Sequence, residues 1–394
     1  MTFEILPSDF YGFEAQLSDR EKDTIVRLRA FLDEHVRPVA NDLWAKAEFF
    51  DRSIVVKGLA DLGLFGMPWE ETRPFENSAV FRGWVALELG RVDASAATLV
   101  GMQNGLVMGS IGVAGSKEQR AQWLPRFASG ELLGAFALTE PLSGSDTAQG
   151  LRTTATRDGD TWVINGQKRW IGNGTLADVV VVWAKDTEDG QVKGFLVPTD
   201  TPGYKATRIE DKIALRIVQN AQIDLENVVI PAENHLAESK TFRETAAVLR
   251  LTRAEVAWAA VGNAIQAYEA AVAYTQERIQ FGKPIAQHQL VQEHLARALG
   301  NITASIAMVT RVSQMLDEGI QRDEHAALAK EYTTARMRET VAWCREALGG
   351  NGIVLDYGVA RPFADAEAIY SYEGTREMNT LIVGRAITGK AAFV

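Results

Sequence analysis

Three long helical segments in the C-terminal part of the chain constrain its fold more than any other feature. The segments 241–278, 287–316 and 322–348 are rich in alanine and contain no internal proline. Alanine has the highest helix propensity, whereas proline in a helix interior removes a backbone hydrogen bond. Because short loops connect the segments, we expect consecutive helices to run antiparallel and to form a bundle. A shorter helix predicted from 375 to 388 completes a four-helix bundle.

The first third of the chain is also predicted to be helical. Ser18 and Glu21 have the spacing of a capping box, in which each residue satisfies a free backbone N–H of the other. Helical patterns follow at about 54–62, 79–90, 94–109 and 117–128. We therefore predict an N-terminal helical domain over residues 1–132.

The pattern changes to short apolar segments near Gly134. The turn dipeptides Asp158-Gly159, Asn165-Gly166 and Asp189-Gly190 separate these segments, and such dipeptides indicate hairpins. We predict a middle antiparallel β domain at 133–236, followed by the C-terminal helical bundle at 237–394. Helix, sheet and helix in successive blocks indicate the α+β class rather than an alternating α/β fold.

Composition and motifs exclude several classes of protein. The formal net charge of −10 among 394 residues argues against nucleic acid as the main partner. The single cysteine, Cys344, excludes an internal disulfide and is interpreted as a buried structural thiol. The five histidines lack the spacing of metal ligands, so no metal site is expected. Neither a dinucleotide fingerprint of the Gly-x-Gly-x-x-Gly type nor the Gly-x-Ser-x-Gly of serine hydrolases occurs.

The longest uncharged stretch, 94–116, has the length of a membrane span. Because it contains Gln103, Asn104 and several glycines, we interpret it as a helix buried inside a soluble protein, without stable membrane insertion. The N-terminus lacks the pattern of a secretory signal, and the last residues, Ala392 to Val394, carry no peroxisomal tripeptide. We expect a cytoplasmic protein.

Glu373 is the candidate catalytic base. It lies between a glycine-rich segment at 348–352 and the last predicted helix. A carboxylate that removes a proton from carbon must lie in an apolar place, where desolvation raises its pKa toward the working pH.

Three further motifs have both structural and functional interpretations. Residues 136–146 combine an apolar strand with a Ser- and Gly-rich turn, which suits either a ring system or phosphate, or an ordinary turn. In 166–174, Trp170 is a side chain that either borders an aromatic cofactor or belongs to the core. In the loop 278–285, Arg278 is either a ligand of a pyrophosphate or a surface cation at a helix end.

These motifs, in this order and spacing, resemble the acyl-CoA dehydrogenase family. The resemblance runs from about Leu17 to Phe393 and rests on segments 139–146, 168–171, 278–282, 348–352 and 372–375. Within the family, the chain is similar to the glutaryl-CoA dehydrogenase branch and to plant short-chain acyl-CoA oxidases. The resemblance implies a homotetramer that binds one FAD per subunit, acts on acyl-CoA and passes electrons to an electron-transferring flavoprotein.

The resemblance also assigns residues to the cofactor and the substrate. Those assigned to FAD are Phe136, Leu138, Thr139, Ser145, Trp170, Ile171, Gly172, Arg278, Gln280, Phe281, Gln289, Glu346, Gly349, Gly350 and Thr375, of which those from Arg278 to Gly350 would reach the FAD of a neighbouring subunit. Those assigned to the substrate are Ala97, Thr98, Ser145, Arg253 and Gly374.

The implied reaction is α,β-desaturation of the thioester to the trans-2-enoyl-CoA. Glu373 would take the α proton while the β hydrogen leaves as hydride to flavin N5, and the backbone N–H of Glu373 would stabilise the developing enolate. Some relatives keep their base on the long helix, at a position that is Thr252 here. Glu255 is displaced from that position by three residues, and we interpret it as facing solvent or the CoA.

Two departures from the family pattern bear on specificity. Ala97 and Gly90 replace the Arg and Glu with which glutaryl-CoA dehydrogenases bind the distal carboxylate, so we predict a neutral short- or medium-chain acyl group. Gly172 replaces the Thr or Ser that hydrogen-bonds flavin N5 in dehydrogenases, which keeps a short-chain acyl-CoA oxidase as an alternative to the dehydrogenase that we favour.

The sequence does not distinguish between two carriers of the acyl group. A desaturase of this kind can act on an acyl group bound to a carrier protein instead of CoA, since the pantetheine near the flavin is the same. The sequence also permits a non-catalytic flavoprotein of the same fold, which the acidic charge and the presence of Glu373 disfavour.

Overall fold

The structure of the chain, a computed structural model, describes residues 2–392. The N-terminal part is helical, as predicted, and the capping box of Ser18 and Glu21 is present. Its helices are α1 (Asp19–Phe31), α2 (Arg37–Lys46), α3 (Lys57–Asp61), α4 (Ala79–Val92), α5 (Ala94–Gly101), α6 (Met108–Ala114) and α7 (Lys117–Ala128). A π-helical segment, Met102–Val107, joins α5 to α6, so that residues 94–114 form one long helix.

This long helix is the segment predicted to be buried. By length and composition it is able to cross a membrane, but 78% of its most apolar window is buried inside the protein. It packs between the β domain and the first half of the C-terminal bundle, because Gly134 approaches Val107 on one side and Gly105 approaches Thr252 on the other. The helix therefore connects the two domains that carry the candidate site.

The middle part is a seven-stranded sheet with one short helix between its first two strands. Its elements are β1 (Gly134–Ala137), α8 (Thr147–Gly150), β2 (Thr154–Asp158), β3 (Thr161–Gly172), β4 (Val179–Asp186), β5 (Val192–Pro198), β6 (Tyr204–Arg208) and β7 (Asn220–Pro231). The hairpin at Asp158-Gly159 and the turn at Asp189-Gly190 are present, and the pairings they create are antiparallel.

Two features of the sheet differ from the prediction. β4 pairs in parallel with both β1 and β2, so the sheet is mixed, although its other pairings are antiparallel. Asn165-Gly166 is no turn but lies inside β3, where the pairing with β7 shifts. Gly166 has φ +148°, and a Cβ there would lie 2.6 Å from Thr153 Cα, so close backbone approach explains this glycine.

The C-terminal part contains the three long helices, here α9 (Phe242–Glu277), α10 (Gln289–Asp317) and α11 (Asp323–Ala347). A small hairpin connects α9 to α10. Its two strands, β8 (Ile279–Gln280) and β9 (Lys283–Pro284), have two residues each. The last elements are α12 (Ala360–Ser371), which was not predicted, and α13 (Arg376–Thr388). Cys344 is buried in α11, as expected of a structural thiol.

Helix α12 is fixed by polar contacts with distant parts of the chain. Asp365 accepts hydrogen bonds from Trp44 Nε1 at 2.8 Å and from the backbone N–H of Leu215 at 2.6 Å. Arg361 forms a buried ion pair with Asp93 at the start of α5. Because these contacts reach the N-terminal helices and the middle domain, the turn after α12 has a defined position relative to both.

Candidate active site

Glu373 lies in the turn between α12 and α13, and its backbone is in the left-handed region. Its φ is +55° and that of Gly374 is +85°, so two consecutive residues adopt a conformation that L side chains rarely take. The hydroxyl of Thr375 then accepts a hydrogen bond from Met378 N at 3.3 Å and caps α13. An unfavourable backbone conformation at a non-glycine residue persists only where its surroundings enforce it, and such residues cluster at functional sites.

The carboxylate of Glu373 is bound by α9. The hydroxyl of Thr252 donates a hydrogen bond of 2.7 Å to Glu373 Oε2. Burial raises the pKa of Glu373 above its ordinary value, although the Thr252 hydrogen bond and the positive charges of Arg253 and Lys330 act in the opposite direction. A raised pKa suits a general base near neutral pH.

Lys330 of α11 binds the backbone of the turn that carries Glu373. Its side chain is fully buried in α11, and Nζ donates hydrogen bonds of 2.8 Å to the carbonyl oxygens of both Tyr370 and Gly374. Burial lowers the pKa of Lys330 to about 8, while the carboxylate of Glu373 acts to raise it. This residue therefore fixes the backbone on both sides of the candidate base.

The backbone N–H of Glu373 is available to a ligand. It donates no hydrogen bond to any residue within 2–392. A free N–H next to a carboxylate can donate to a carbonyl oxygen whose α carbon faces that carboxylate.

The neighbouring Tyr372 lies deep in the site. Its hydroxyl interacts with Thr98 of α5, and burial raises the pKa of Tyr372.

The long helix 94–114 lies against Thr252, the residue that binds Glu373. A Cβ placed on Gly105 would lie 2.5 Å from Thr252 Cγ2, so this glycine lets the helix approach α9 closely. On the other side, a Cβ on Gly172 would lie 2.4 Å from Met102 Sδ. Residues assigned to the substrate by the resemblance, Ala97 and Thr98, lie on the same helix.

Glu255 lies against the long helix and does not face bulk solvent, one of the two positions inferred for it from the sequence. Its Oε2 would lie 3.1 Å from a Cβ on Gly105 and 3.9 Å from one on Gly101, so the carboxylate faces the long helix. Burial, together with the negative charge of Glu373, raises the pKa of Glu255 to about 7, whereas Arg82 acts to lower it. The interpretation as a solvent-facing residue was wrong because a position on α9 alone does not show which helix covers it, whereas the interpretation as a CoA-side residue stays a prediction.

The middle domain contributes the residues around the end of β1 and around Trp170. Leu138 and Ile171 are buried, Phe136 and Thr139 are partly buried, and Trp170 is 53% exposed with φ +64°. The pairing of β3 with β7 shifts between Lys168 and Ile171, which places Trp170 in an irregular part of the strand. Arg169 N donates to the carbonyl of Thr139 at 2.9 Å and joins the two segments.

A buried ion pair supports these segments. Lys168 Nζ donates to Glu140 Oε1 at 2.9 Å, to the carbonyl of Leu138 at 3.0 Å and to that of Trp183 at 2.7 Å. Burial lowers the pKa of Lys168 to about 8, against the opposing effect of Glu140. Because removal of either partner would leave an uncompensated buried charge, this pair holds the end of β1 in place.

The two remaining substrate-side residues are placed differently. Ser145 lies on an exposed turn after β1. Arg253 is mostly buried, and its Nε has no hydrogen-bond partner among the described residues. A buried guanidinium nitrogen without a partner is suited to bind a polar group of a ligand.

The other residues assigned to FAD lie at the opposite end of the bundle. Arg278, Gln280, Phe281 and Gln289 are exposed on the hairpin and at the start of α10, and His294 of α10 lies 3.6 Å from Glu346 at the end of α11. The exposed glycines 349 and 350 follow that helix. Along α9, this end is roughly 38 Å from Thr252, at about 1.5 Å per residue.

Both groups of residues fit a flavin dinucleotide. At the β1 end, Trp170 and the backbone beside Leu138 and Thr139 form an apolar wall with polar backbone groups for a planar ring. At the far end, the guanidinium of Arg278 has no partner among residues 2–392, and Phe281 is 94% exposed. A free guanidinium and an uncovered aromatic ring are suited to a pyrophosphate and to an apolar surface.

Sequence reasoning overlooked the roles of Lys330 and Tyr372 and did not predict the contact of Glu255 with the long helix. Lys330 offered a signal, because it lies among Ala326, Ala329 and Thr333 at core spacing on α11. A charged residue on the apolar side of a helix indicates a buried partner, here a pair of backbone carbonyls. Tyr372 and Glu255 offered no comparable signal.

Comparison with known proteins gives consistent results. Three family models match: "Acyl-CoA dehydrogenase, N-terminal domain" over residues 18–131, "middle domain" over 135–228 and "C-terminal domain" over 242–388. The crystal structure of a glutaryl-CoA dehydrogenase from Mycobacterium smegmatis in complex with FADH2 superposes with a TM-score of 0.94 at 36% identity, covering 99% of this chain and 100% of that one.

Two curated relatives are named for other acyl-CoA substrates. Cyclohex-1-ene-1-carbonyl-CoA dehydrogenase of Geobacter metallireducens is 38% identical over 306 residues, which are 76% of this chain and 80% of the relative. The mitochondrial short-chain specific acyl-CoA dehydrogenase of Rattus norvegicus is 33% identical over 364 residues, 90% of this chain and 87% of the relative.

Proposed function

Because the chain belongs to the acyl-CoA dehydrogenase family, we propose that it desaturates the α,β bond of a neutral, short- or medium-chain acyl-CoA, with Glu373 as the base. The protein is an FAD-dependent oxidoreductase acting on CH–CH groups. The identities of the acyl substrate and of the base are the parts that we propose.

One observation carries the assignment of the base. Glu373 combines a left-handed backbone, a 2.7 Å hydrogen bond from Thr252 and a pKa that burial raises. The neighbouring Glu255 has its backbone N–H inside α9, whereas the N–H of Glu373 has no partner among residues 2–392. A thioester whose carbonyl accepts that N–H would present its α carbon to the carboxylate.

The chain's own residues then account for acid–base catalysis. Glu373 Oε removes the α proton, while its N–H stabilises the negative charge that develops on the thioester oxygen. Tyr372 and Thr98 close the site beside the base and exclude water, and Arg253 orients the polar part of the substrate. Bound FAD supplies the acceptor for the β hydrogen, which leaves as a hydride.

The preference for a neutral acyl group rests on two positions. A Cβ on Gly90 would lie 2.7 Å from the carbonyl oxygen of Ala259, so α4 packs directly on α9 where a glutamate would be needed to orient an arginine. Ala97 is buried and carries no charge. At these two positions, the chain offers nothing to compensate a distal carboxylate.

The separation of the two flavin-binding groups supports an oligomer. Glu373 is bound by Thr252 of α9, whereas Arg278 and Phe281 lie roughly 38 Å away along that helix, at about 1.5 Å per residue. This distance exceeds the reach of an extended flavin dinucleotide. We therefore propose that the far end serves the FAD of a neighbouring subunit, in a homotetramer that passes electrons to an electron-transferring flavoprotein.

A second candidate function is an acyl-CoA oxidase, and Gly172 favours it. Glycine offers no hydroxyl to the flavin, and a side chain at position 172 would meet Met102, whose Sδ would lie 2.4 Å from its Cβ. Absence of that hydroxyl affects the potential of the flavin and its access to oxygen.

Anaerobic titration of the holoenzyme with acyl-CoAs, followed by admission of air, tests both candidates. We expect bleaching of the flavin by butyryl-CoA or hexanoyl-CoA, much weaker bleaching by glutaryl-CoA, and slow reoxidation in air. Rapid stoichiometric release of hydrogen peroxide would instead establish the oxidase. Equal turnover of glutaryl-CoA and butyryl-CoA would contradict the proposed neutral substrate.

A further inference from the structure

Beside the candidate base lies a second carboxylate that the proposed reaction does not use. Glu255 is on α9, one turn after Thr252, and its Oε2 faces Gly101 and Gly105 of the long helix. These two glycines are one helical turn apart, so they leave room above the helix where side chains would otherwise lie. The carboxylate borders that room.

Glu255 has no direct partner in the protein. Within residues 2–392, its carboxylate accepts no hydrogen bond and forms no ion pair. It nevertheless lies deep enough for burial to raise its pKa to about 7, and part of its surface remains accessible. Among residues 2–392, Glu255 Oε2 at 3.9 Å is the one atom from another element within 4 Å of a Cβ placed on Gly101, so the accessible surface of Glu255 borders an open cavity between α9 and the long helix.

The charged groups around Glu255 come from two other elements. Arg82 of α4 lies close enough to lower its pKa, and Glu373 of the α12–α13 turn raises it. The long helix 94–114 contributes no charged side chain. Arg82 itself donates to the carbonyl and the side-chain oxygen of Asn77, at 3.1 and 2.9 Å, and is partly accessible.

An apolar acyl chain is a poor occupant of this cavity. A hydrocarbon would remove water from an unpaired carboxyl group without replacing the lost hydrogen bonds, which is unfavourable. A carboxylate at the end of the acyl chain would face the carboxylate of Glu255 and be repelled by it. A neutral group that donates a hydrogen bond satisfies Glu255 in either protonation state, since both states accept hydrogen bonds.

We propose that Glu255, supported by Arg82, forms a subsite for a hydroxyl group on the acyl chain of the substrate. This inference rests on the proposed function, because the cavity is the acyl pocket only if Glu373 is the base. It narrows the substrate from a neutral acyl-CoA to one with a hydroxyl beyond the β carbon. Glu255 is thus assigned a role in specificity and none in proton transfer.

We test the subsite by measuring how acyl-CoA ligands bind to the Glu373→Gln holoenzyme. In this variant the proposed proton abstraction is blocked, so the ligands bind without reacting. The ligands are hexanoyl-CoA and its 4-, 5- and 6-hydroxy derivatives, and calorimetry gives each Kd. We expect at least one hydroxy derivative to bind about tenfold more tightly than hexanoyl-CoA, which corresponds to one hydrogen bond to a buried group.

Variants at Glu255 in the same background provide the comparison. Glu255→Met should abolish the preference or reverse it toward hexanoyl-CoA, whereas Glu255→Gln, which keeps an acceptor oxygen, should retain most of it. Glu34→Met, which removes an exposed carboxylate, is the control and should leave the ratio unchanged. If all three hydroxy derivatives bind more weakly than hexanoyl-CoA to the Glu373→Gln protein, the inference is overturned. It is also overturned if Glu255→Met leaves the ratio of the Kd values of hexanoyl-CoA and its hydroxy derivatives unchanged.

Flavin bleaching of the wild-type holoenzyme separates this failure from failure of the proposed function. If none of the four thioesters bleaches the flavin, the proposed function is overturned. If hexanoyl-CoA bleaches it and no hydroxy derivative is preferred in binding or in kcat/KM, only the hydroxyl subsite is overturned.

Discussion

At the scale of single residues, the site consists of one carboxylate and the groups that control its charge. Thr252 donates to Glu373, while Arg253 and Lys330 favour its ionised form against the effect of burial. The balance keeps the carboxylate ionisable and sufficiently basic, a condition for proton abstraction from carbon. Two predictions follow from these groups.

Replacement of Glu373 by Gln should abolish proton abstraction. We expect the rate of anaerobic flavin bleaching by butyryl-CoA to fall by about 10³-fold, within the range for loss of a general base. Stopped-flow absorbance measures the rate, and calorimetry checks that the ligand still binds. A Glu373→Gln protein that bleaches its flavin as fast as the wild type would show that another group removes the proton.

Replacement of Lys330 by Met should shift the pH dependence. Lys330 is a positive charge that lowers the pKa of Glu373, so its loss raises that pKa further. Since the base acts in its ionised form, activity appears as pH rises through this pKa, and the acidic limb of the kcat/KM profile should move to higher pH. Unfolding should also become easier by about 1–3 kcal/mol, because two carbonyls lose their donor.

Lys46→Met, an exposed change in α2, is the control for Lys330. It should move neither the acidic limb nor the free energy of unfolding by a measurable amount. Loss of stability in Lys330→Met with no movement of the limb would mean that Lys330 is only structural.

At the scale of elements, the long helix 94–114 determines the shape of the pocket. It contacts α9 through Gly105 and the middle domain at Gly172, a residue assigned to FAD by the resemblance, through Met102. Its π-helical segment lies at this point and widens the helix where the two contacts occur. A change in this helix is therefore expected to act on both the base and the pocket.

Gly105→Ala tests this contact. The new Cβ would lie 2.5 Å from Thr252 Cγ2 and 3.1 Å from Glu255 Oε2, so Thr252 has to move away from Glu373. We expect kcat/KM to fall by at least about tenfold, with an overpacking cost of roughly 1–3 kcal/mol in unfolding free energy. Steady-state kinetics and chemical denaturation measure the two effects.

Gly300→Ala is the matched control, because this glycine lies in α10 and no atom is within 4 Å of its Cβ position. It should stabilise the protein by up to about 1 kcal/mol, since alanine favours the helix, and leave kcat/KM unchanged. Equal kinetics for Gly105→Ala and Gly300→Ala would exclude the proposed contact.

At the scale of the whole molecule, one end of the bundle remains uncovered. Phe281 in the hairpin after α9 is 94% exposed. Leu290 at the start of α10 is 75% exposed, and Ile353, which follows α11, is 71% exposed. Large apolar side chains left this open indicate an interaction surface. In the proposed homotetramer, this surface meets a neighbouring subunit and its FAD.

Phe281→Ser should weaken both assembly and cofactor retention. We expect the purified protein to lose most of its FAD and to show a smaller mass by light scattering, because an apolar anchor of the interface is removed. Tyr11→Ser, at a 73% exposed position of the N-terminal segment, is the control. Unchanged FAD content and mass in Phe281→Ser would contradict the shared site.

The sequence by itself determined the features that depend on local patterns. The long helices α9, α10 and α11 follow from alanine-rich segments without proline, and the hairpin between β2 and β3 follows from Asp158-Gly159. Glu373 was selected as base from its glycine-rich neighbourhood and the family resemblance, and that choice remains a prediction. Local propensity is sufficient for such features because they involve residues close in sequence.

Only the tertiary structure decided the features that depend on contacts between distant residues. Helix α12 contains Pro362 and buried Arg361 and Asp365, so it lacks an apolar pattern and depends on Asp93, Trp44 and Leu215. The parallel pairing of β4 with β1 and β2 also joins strands that are not consecutive. The cavity around Glu255 arises where α9 meets two glycines of another helix. Periodicity along one segment carries no information about what another segment places opposite it.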